Sequence, residues 1–135
     1  NHLVAISQGI MFYHAGQENY RTKQGVENSY QSLDEINQIH WQTSKRTLST
    51  LKRLLKLRGQ IFKNIQHTTL KKMETYWLYT VVQEKNTYLI YIQPTQAIAK
   101  VRIKTKRLVF ASQKTTQVKT WMYLEQRGIY IFKKR

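Results

Sequence analysis

Residues 43–59, TSKRTLSTLKRLLKLRG, constrain the fold of this 135-residue chain more than any other stretch. Four leucines gather on one side of a helical wheel drawn at 100° per residue: Leu48, Leu51, Leu54 and Leu55. Most of the basic side chains fall on the opposite arc. This spacing predicts an amphipathic helix over 44–58, with Ser44 as its N-cap and Gly59 ending it in a left-handed conformation.

A shorter apolar stripe precedes that helix, in the segment SLDEINQIH. Ser32 and Glu35 have the spacing of a capping box, which predicts a helix that ends near Trp41. After Gly59, the residues QIFKNI (60–65) favour a strand. A short helix, a turn, a basic helix and a strand follow one another in helix-turn-helix proteins that carry a wing.

The segment 32–59 resembles the helix-turn-helix of the Mga-type and DeoR-type bacterial regulators. The residues that match are Leu33, Glu35, Ile36, Ser44, Lys45, Arg46, Thr47, Leu48 and Leu55. Lys52 departs from the family pattern, which has an apolar residue there, and Leu51 is expected to take over its packing. The resemblance implies a mainly α fold with small β-wings, an α+β winged helix-turn-helix.

The second half of the chain offers two interpretations. YLEQRGIYIFKK echoes LLKLRGQIFKN, which predicts a tandem arrangement of two winged-helix units, 1–69 and 70–135. In that arrangement 70–84 and 113–126 are helices. In the alternative, a single winged helix is followed by a small β-rich domain, because KVRIK alternates apolar and basic residues as a strand does.

Two further elements are predicted from hydrophobic spacing. LVAISQGIMFYHAGQ, residues 3–17, has apolar residues at three- and four-residue steps, which indicates a helix. TYLIYIQ, residues 87–93, has the composition of a strand. The polar segment 18–30 between the first two predicted helices is expected to be a loop.

The charge balance indicates what kind of partner the chain has. Lys and Arg number 23 against seven acids, for a formal net charge of +16. Such a surface repels itself unless an anion relieves the repulsion, and nucleic acid is the commonest such partner. We therefore predict a sequence-specific double-stranded DNA-binding transcription regulator. The alternatives are a plasmid or phage replication initiator with tandem winged helices, an RNA-binding protein, and, with least support, a membrane-surface protein.

The expected DNA contacts lie at the start and along the outward side of each predicted recognition helix. In the first helix they are Thr43, Ser44, Lys45, Arg46, Ser49, Thr50, Arg53 and Lys56. In the second they are Lys114, Thr115, Thr116 and Lys119. Arg46 is the candidate for a bidentate contact to guanine, and the lysines are suited to phosphate.

The residues that are missing narrow the function further. There is no cysteine, no phosphate-binding glycine loop and no nucleophile motif, and the four histidines are scattered. We therefore expect no enzyme activity, no cofactor, no metal and no small-molecule ligand. No apolar run reaches membrane-spanning length, so no membrane association is expected. A cytoplasmic, nucleoid-associated location and a homodimer are both compatible with these features.

Overall fold

The computed structural model describes residues 2–42, 44–104 and 106–134. Its internal contacts divide the chain into two compact units, Asn1–Lys56 and Leu57–Arg135. The predicted division between residues 69 and 70 stays a prediction, and residue 69 itself lies within a strand.

The first unit is built from short helices and loops. Helix α1 spans His2–Ile6, a 3-10 turn spans Gln17–Asn19, α2 spans Asp34–Asn37, and α3 spans Lys45–Ile61 and so continues into the second unit. The helix predicted over 3–17 therefore ends at Ile6, well before residue 17, and Gly9, with a φ of 100°, lies beyond its end. The predicted capping box is also wrong, because the N-cap of α2 is Leu33 and makes no side-chain hydrogen bond.

Helix α3 confirms the amphipathic helix predicted over 44–58. Leu51 and Leu54 are buried, whereas Lys52 is exposed. The predicted end of the helix is wrong, because Gly59 lies inside α3 without a positive φ. The strand predicted over 60–65 is wrong for the same reason: the helix runs through Ile61, and only residue 65 begins a strand.

The second unit consists mainly of antiparallel strands. They are β1 Ile65–Lys72, β2 Trp77–Gln83, β3 Thr87–Gln93, β4 Ala99–Arg102, β5 Lys106–Ala111, β6 Thr115–Val118, β7 Trp121–Leu124 and β8 Gly128–Lys134. A five-stranded sheet has the order β1-β2-β3-β8-β5, and a three-stranded sheet has the order β4-β7-β6. The observed β3 confirms the strand predicted over 87–93, and β4 lies within the run KVRIK and its neighbours.

An apolar core joins the two sheets face to face. The five-stranded sheet contributes Tyr91, Tyr130 and Phe132 to a buried cluster. The three-stranded sheet contributes Ala99, Val101, Met122 and Leu124. The rings of Tyr91 and Phe132 meet edge to face, with centroids 5.4 Å apart, which is a favoured arrangement for two aromatic quadrupoles. The unit is therefore a small β-sandwich.

The predicted fold class, a mainly α winged helix-turn-helix in one or two units, is wrong. Residues 70–84 hold the end of β1, a turn and β2, because WLYTVVQ is rich in aromatic and β-branched residues that favour strands. Residues 113–126 hold the β6–β7 hairpin. The two glycines of the apparent repeat differ as well, since Gly59 is helical and Gly128 begins β8.

Gly128 is needed for packing at the start of β8. A Cβ at this position would lie 2.6 Å from Ser112 Oγ, closer than side chains approach. The same hydroxyl accepts a hydrogen bond of 2.9 Å from the backbone N–H of Ile129.

No helix in the described part of the chain is long and apolar enough to cross a membrane.

Candidate functional site

A cleft of about 240 Å³ lies among the loops of the first unit. Its walls come from the segment after the 3-10 turn and from α2 with the residues that follow it. Its lining includes side chains that can form hydrogen bonds: Asn19, Tyr20, Arg21, Glu35, Gln38 and His40. We call this the polar cleft. An amide, a guanidinium, a carboxylate and an imidazole thus line one small space, and together they offer both hydrogen-bond donors and acceptors.

Asn37 fixes the walls of the polar cleft by joining three separate segments. Its Nδ2 donates to the carbonyl oxygens of Ser29 and Ser32, both at 2.8 Å. Its Oδ1 accepts from Lys23 Nζ at 2.6 Å, and its backbone carbonyl accepts from Arg21 Nη2. Because Asn37 forms hydrogen bonds with partners from residues 21 to 32, these bonds hold the loop that bears Arg21 against α2.

The other end of the cleft is fixed by Asn19 and Gly16. Asn19 Nδ2 donates to the carbonyl oxygen of His40 at 2.9 Å. Gly16 has a φ of 85°, and a Cβ there would meet Arg21 Cδ at 2.8 Å. Only glycine therefore allows Arg21 to pass so close to the backbone in that left-handed conformation. Tyr20, with a φ of 58°, is 71% exposed.

The arrangement suits a polar ligand that also has an apolar face. Side chains such as Asn19, Gln38 and His40 can donate to or accept from hydroxyl groups. The exposed ring of Tyr20 offers a flat apolar surface with a negative face, on which C–H groups can lie. Among the described residues that line the cleft, Glu35 is the one carboxylate. These residues therefore do not supply the pair of carboxylates that glycoside hydrolysis uses.

The structure also shows where the first set of predicted DNA contacts lies. Ser44 precedes α3, and Lys45, Arg46, Ser49, Arg53 and Lys56 are exposed on α3. At 3.6 residues per turn, these helical residues fall within an arc of about 100°, so α3 brings them together on one face. Thr50 is partly buried beside them, and Thr43 lies outside the described residues.

The second predicted set is not on a helix. Lys114 precedes β6, Thr115 and Thr116 lie in β6, and Lys119 occupies the turn between β6 and β7 with a φ of 52°. A recognition helix is therefore absent from residues 113–126, all of which the structure describes. Among the described residues, no group of three His, Cys, Asp or Glu side chains could hold a metal ion.

Comparison with known proteins identifies the fold. No model of a protein family matches the chain. Over 59 residues, 42% of this chain, the sequence is 51% identical to a pullulanase of Bacillus subtilis strain 168. The structure superposes on pullulanase from Anoxybacillus sp. LM18-11 with a TM-score of 0.77 over 99% of the chain, at 24% identity.

A second solved structure agrees with the first. It is pullulanase type I from Bacillus subtilis strain 168 in complex with maltose, with a TM-score of 0.74 over 98% of the chain at 26% identity. The fold is that of a pullulanase segment. The chain spans 22% of each of these two solved chains, and the 59-residue match spans 8% of the curated pullulanase.

These likenesses overturn the functional predictions made from the sequence. The resemblance to Mga-type and DeoR-type regulators is wrong, and so are a transcription regulator, a replication initiator and an RNA-binding protein as interpretations. The predicted partner, double-stranded DNA, is wrong as well, because one similar structure was solved with maltose. The prediction that the chain has no enzyme activity is contradicted by its similarity to pullulanases, of which it spans only a small part. No DNA contact is therefore assigned to the exposed face of α3.

Sequence reasoning missed the polar cleft altogether. Residues 18–30 were expected to be a loop, which they largely are, but no function was attached to them. The available signal was composition: this loop and the residues up to His40 are dense in Asn, Gln, Tyr and Ser. Such side chains are suited to hydroxyl-rich ligands, a signal that the high positive charge of the chain obscures.

Proposed function

We propose that this chain is a segment of a pullulanase-type glycoside hydrolase and that its polar cleft holds α-linked glucose units. The observation that carries the proposal is the 51% identity to the pullulanase of Bacillus subtilis over 59 residues. Identity of that degree exceeds what a shared fold alone requires. A related solved structure was obtained with maltotriose, an α-linked glucose trimer.

The surface of the first unit supports the idea that it is part of a larger body. Large apolar side chains outside the polar cleft are exposed there: Leu3, Ile10, Phe12, Val26, Tyr30, Leu33 and Trp41. Ile10 and Phe12 are 104% and 80% exposed. A unit that stands alone seldom leaves so many apolar groups in water, so we infer that other parts of a pullulanase-type chain cover them.

The positions of the carboxylates indicate which step of the reaction this segment serves. Hydrolysis of a glycosidic bond uses two carboxyl groups on either side of the bond, about 5–9.5 Å apart. Among the described residues, the polar cleft is lined by one carboxylate, Glu35, and the other acids of the first unit, Glu18, Glu27 and Asp34, are not among its lining residues. The three acids of the second unit, Glu74, Glu84 and Glu125, lie in its turns. This segment therefore helps to bind and position the glucan, and the remainder of the enzyme supplies the reacting carboxylates.

Nuclear magnetic resonance titration of the 135-residue chain with maltotriose tests the proposal. We expect the backbone amide signals of residues 19–24 and 35–40 to shift with maltotriose and not with cellotriose, its β-linked counterpart. Tyr20→Ala should weaken maltotriose binding about five- to tenfold, because it removes an aromatic contact of ~1 kcal/mol. The matched control is Tyr30→Ala, since Tyr30 is 74% exposed and lies outside the cleft.

Two results would reject the proposal. One is the absence of any maltotriose-dependent shift in residues 19–40. The other is an equal loss of affinity in Tyr20→Ala and Tyr30→Ala, which would place the sugar elsewhere on the chain. Hydrolysis of pullulan by the chain alone would contradict the inference that the reacting carboxylates lie outside this segment.

A further inference from the structure

A second cleft, of about 460 Å³, opens at one edge of the β-sandwich. Strand β5 is the edge strand of the five-stranded sheet, and β6 is the edge strand of the three-stranded sheet. The cleft is lined by residues from both strands and from the β4–β5 and β6–β7 turns. We call it the edge cleft, and it contains no residue of the polar cleft.

Four cationic side chains line the edge cleft: Lys104, Lys106, Arg107 and Lys119. None of its described lining residues is acidic. Like charges also face one another across the β5–β8 pair, where Lys106 lies opposite Lys134 and Arg107 lies opposite Lys133. Because like charges directly opposite destabilise a sheet, this end of the sandwich is electrostatically unfavourable without an anion.

Backbone hydrogen bonds fix the two turns that carry these charges. The N–H of Ile103 donates to the carbonyl oxygen of Thr120 at 2.8 Å, which joins the β4–β5 turn to the β6–β7 turn. The N–H of Lys106 donates to the carbonyl oxygen of Ile103 at 2.9 Å. Lys104 and Lys119 therefore project from turns that are tied together, and the cleft is formed before any ligand arrives.

Lys106 is the most constrained of the four cations. Its Nζ donates to Tyr91 Oη at 2.9 Å and lies 5.5 Å from the centre of the same ring. Tyr91 is itself buried, at 3% exposure. Burial lowers the pKa of Lys106, which shows that its charge has lost part of its hydration. A partly desolvated ammonium with a fixed position interacts more strongly with an anion than a solvated surface lysine does.

We propose that the edge cleft binds a phosphate monoester carried by a small polyhydroxy molecule, of the size of a hexose phosphate. A phosphate monoester bears close to two negative charges and three strongly accepting oxygens, which match several cations at once. Gln117 and Thr120 line the same cleft and can bond to hydroxyl groups. A volume of about 460 Å³ is larger than phosphate needs and lies within the range of small-molecule sites.

Isothermal titration calorimetry of the 135-residue chain with glucose 6-phosphate, glucose and inorganic phosphate tests this proposal. We expect glucose 6-phosphate to bind more tightly than inorganic phosphate and glucose to give no heat. Lys106→Met should weaken glucose 6-phosphate binding at least about tenfold, the equivalent of one charge-assisted hydrogen bond. Lys114→Met is the matched control, because Lys114 is an exposed lysine of the same unit outside the cleft.

A second variant tests the proposal even if Lys106→Met does not fold. Lys119→Asn removes an exposed charge and keeps a residue that tolerates the left-handed backbone at this position. It should also weaken binding, whereas Lys114→Met should leave affinity within about twofold, as expected for a distant screened charge.

Equal affinity in Lys119→Asn and Lys114→Met, or no binding of glucose 6-phosphate, overturns the proposal. Equal binding of inorganic phosphate and glucose 6-phosphate overturns its polyhydroxy part. The maltotriose titration is independent of all these results.

Discussion

Different interactions stabilise each of the two units of this chain. Fourteen of the eighteen buried apolar residues in the described part of the chain lie between Ile61 and Phe132, within the β-sandwich unit. Ala5, Ile6, Leu51 and Leu54 are the four in the first unit. The sandwich thus has an apolar core of its own, whereas the loops of the first unit depend on polar side chains such as Asn37.

Buried polar atoms without a partner occur in both units. Among the described residues they are Tyr13 Oη and Arg21 Nε in the first unit and both side-chain amide atoms of Gln93 in the second. Unpaired groups of this kind cost free energy. The difference between the units therefore lies in the amount of buried apolar surface, which is small in the first unit and large in the β-sandwich.

The largest effect is expected from Phe132→Ala. Phe132 is fully buried between the sheets, so its truncation should lower the free energy of unfolding by about 3–5 kcal/mol. Urea denaturation of the 135-residue chain, followed by tryptophan fluorescence, measures this. Trp121→Ala is the control, because Trp121 is 37% exposed and contacts Lys100 through its ring face. If both variants lose the same stability, the core between the two sheets is not what holds the second unit.

A smaller and more local effect is expected from Asn37→Ala. The substitution removes the side-chain bonds to Ser29, Ser32 and Lys23, and should cost about 1–3 kcal/mol. Hydrogen exchange should show faster exchange of amides in residues 21–37 and unchanged exchange in the sandwich strands. Asn28→Ala, an exposed asparagine of the same loop, is the matched control. Faster exchange throughout the sandwich in Asn37→Ala would show that the two units do not unfold separately.

The sequence predicted best those elements that depend on local spacing. Helix α3 carries apolar residues at helical steps over four turns, and Leu51 takes the buried position next to exposed Lys52, as expected. Strand β3 is a continuous run of β-formers between polar ends. Each of these elements repeats its own signal many times, so neighbours along the chain are enough to identify it.

The hairpins were missed because their partners are distant or their turns unusual. The β6–β7 turn has Lys119 in a left-handed conformation, where glycine or asparagine is the common signal. Strand β8 pairs with β3 and β5, and nothing local in the sequence indicates either partner. The match between Gly59 and Gly128 was a coincidence of letters, since a short motif takes its conformation from its tertiary surroundings.

The functional site was missed because net charge indicates a class of partner only loosely. A charge of +16 shows that anions are attracted, but it names neither the anion nor the main ligand. The polar cleft depends on Asn37 meeting Lys23 and Ser29, residues separated by long stretches of loop. These contacts form only in the folded loop, so the periodicity of the sequence does not predict them.

The smallest effect is expected from a buried amide within the sandwich. Gln93 is 1% exposed, and neither its Nε2 nor its Oε1 has a partner among the described residues. Gln83 is also buried, but its Nε2 donates to the carbonyl oxygens of Gln60, Ile61 and Lys63 at 2.6–2.9 Å. Gln93→Met should therefore raise the free energy of unfolding by about 1 kcal/mol, because an unpaired amide is replaced by an apolar group of similar shape.

Gln83→Met provides the opposite case with the same chemical change. It should lower the free energy of unfolding by about 1–3 kcal/mol, because it leaves carbonyl oxygens at the end of α3 without their donor. Thermal unfolding of both variants measures the difference in sign. Destabilisation by Gln93→Met would mean that the amide of Gln93 is paired in solution, for instance by an internal water. The β-sandwich would then contain a polar network, and its core would resemble the first unit more closely than the buried clusters indicate.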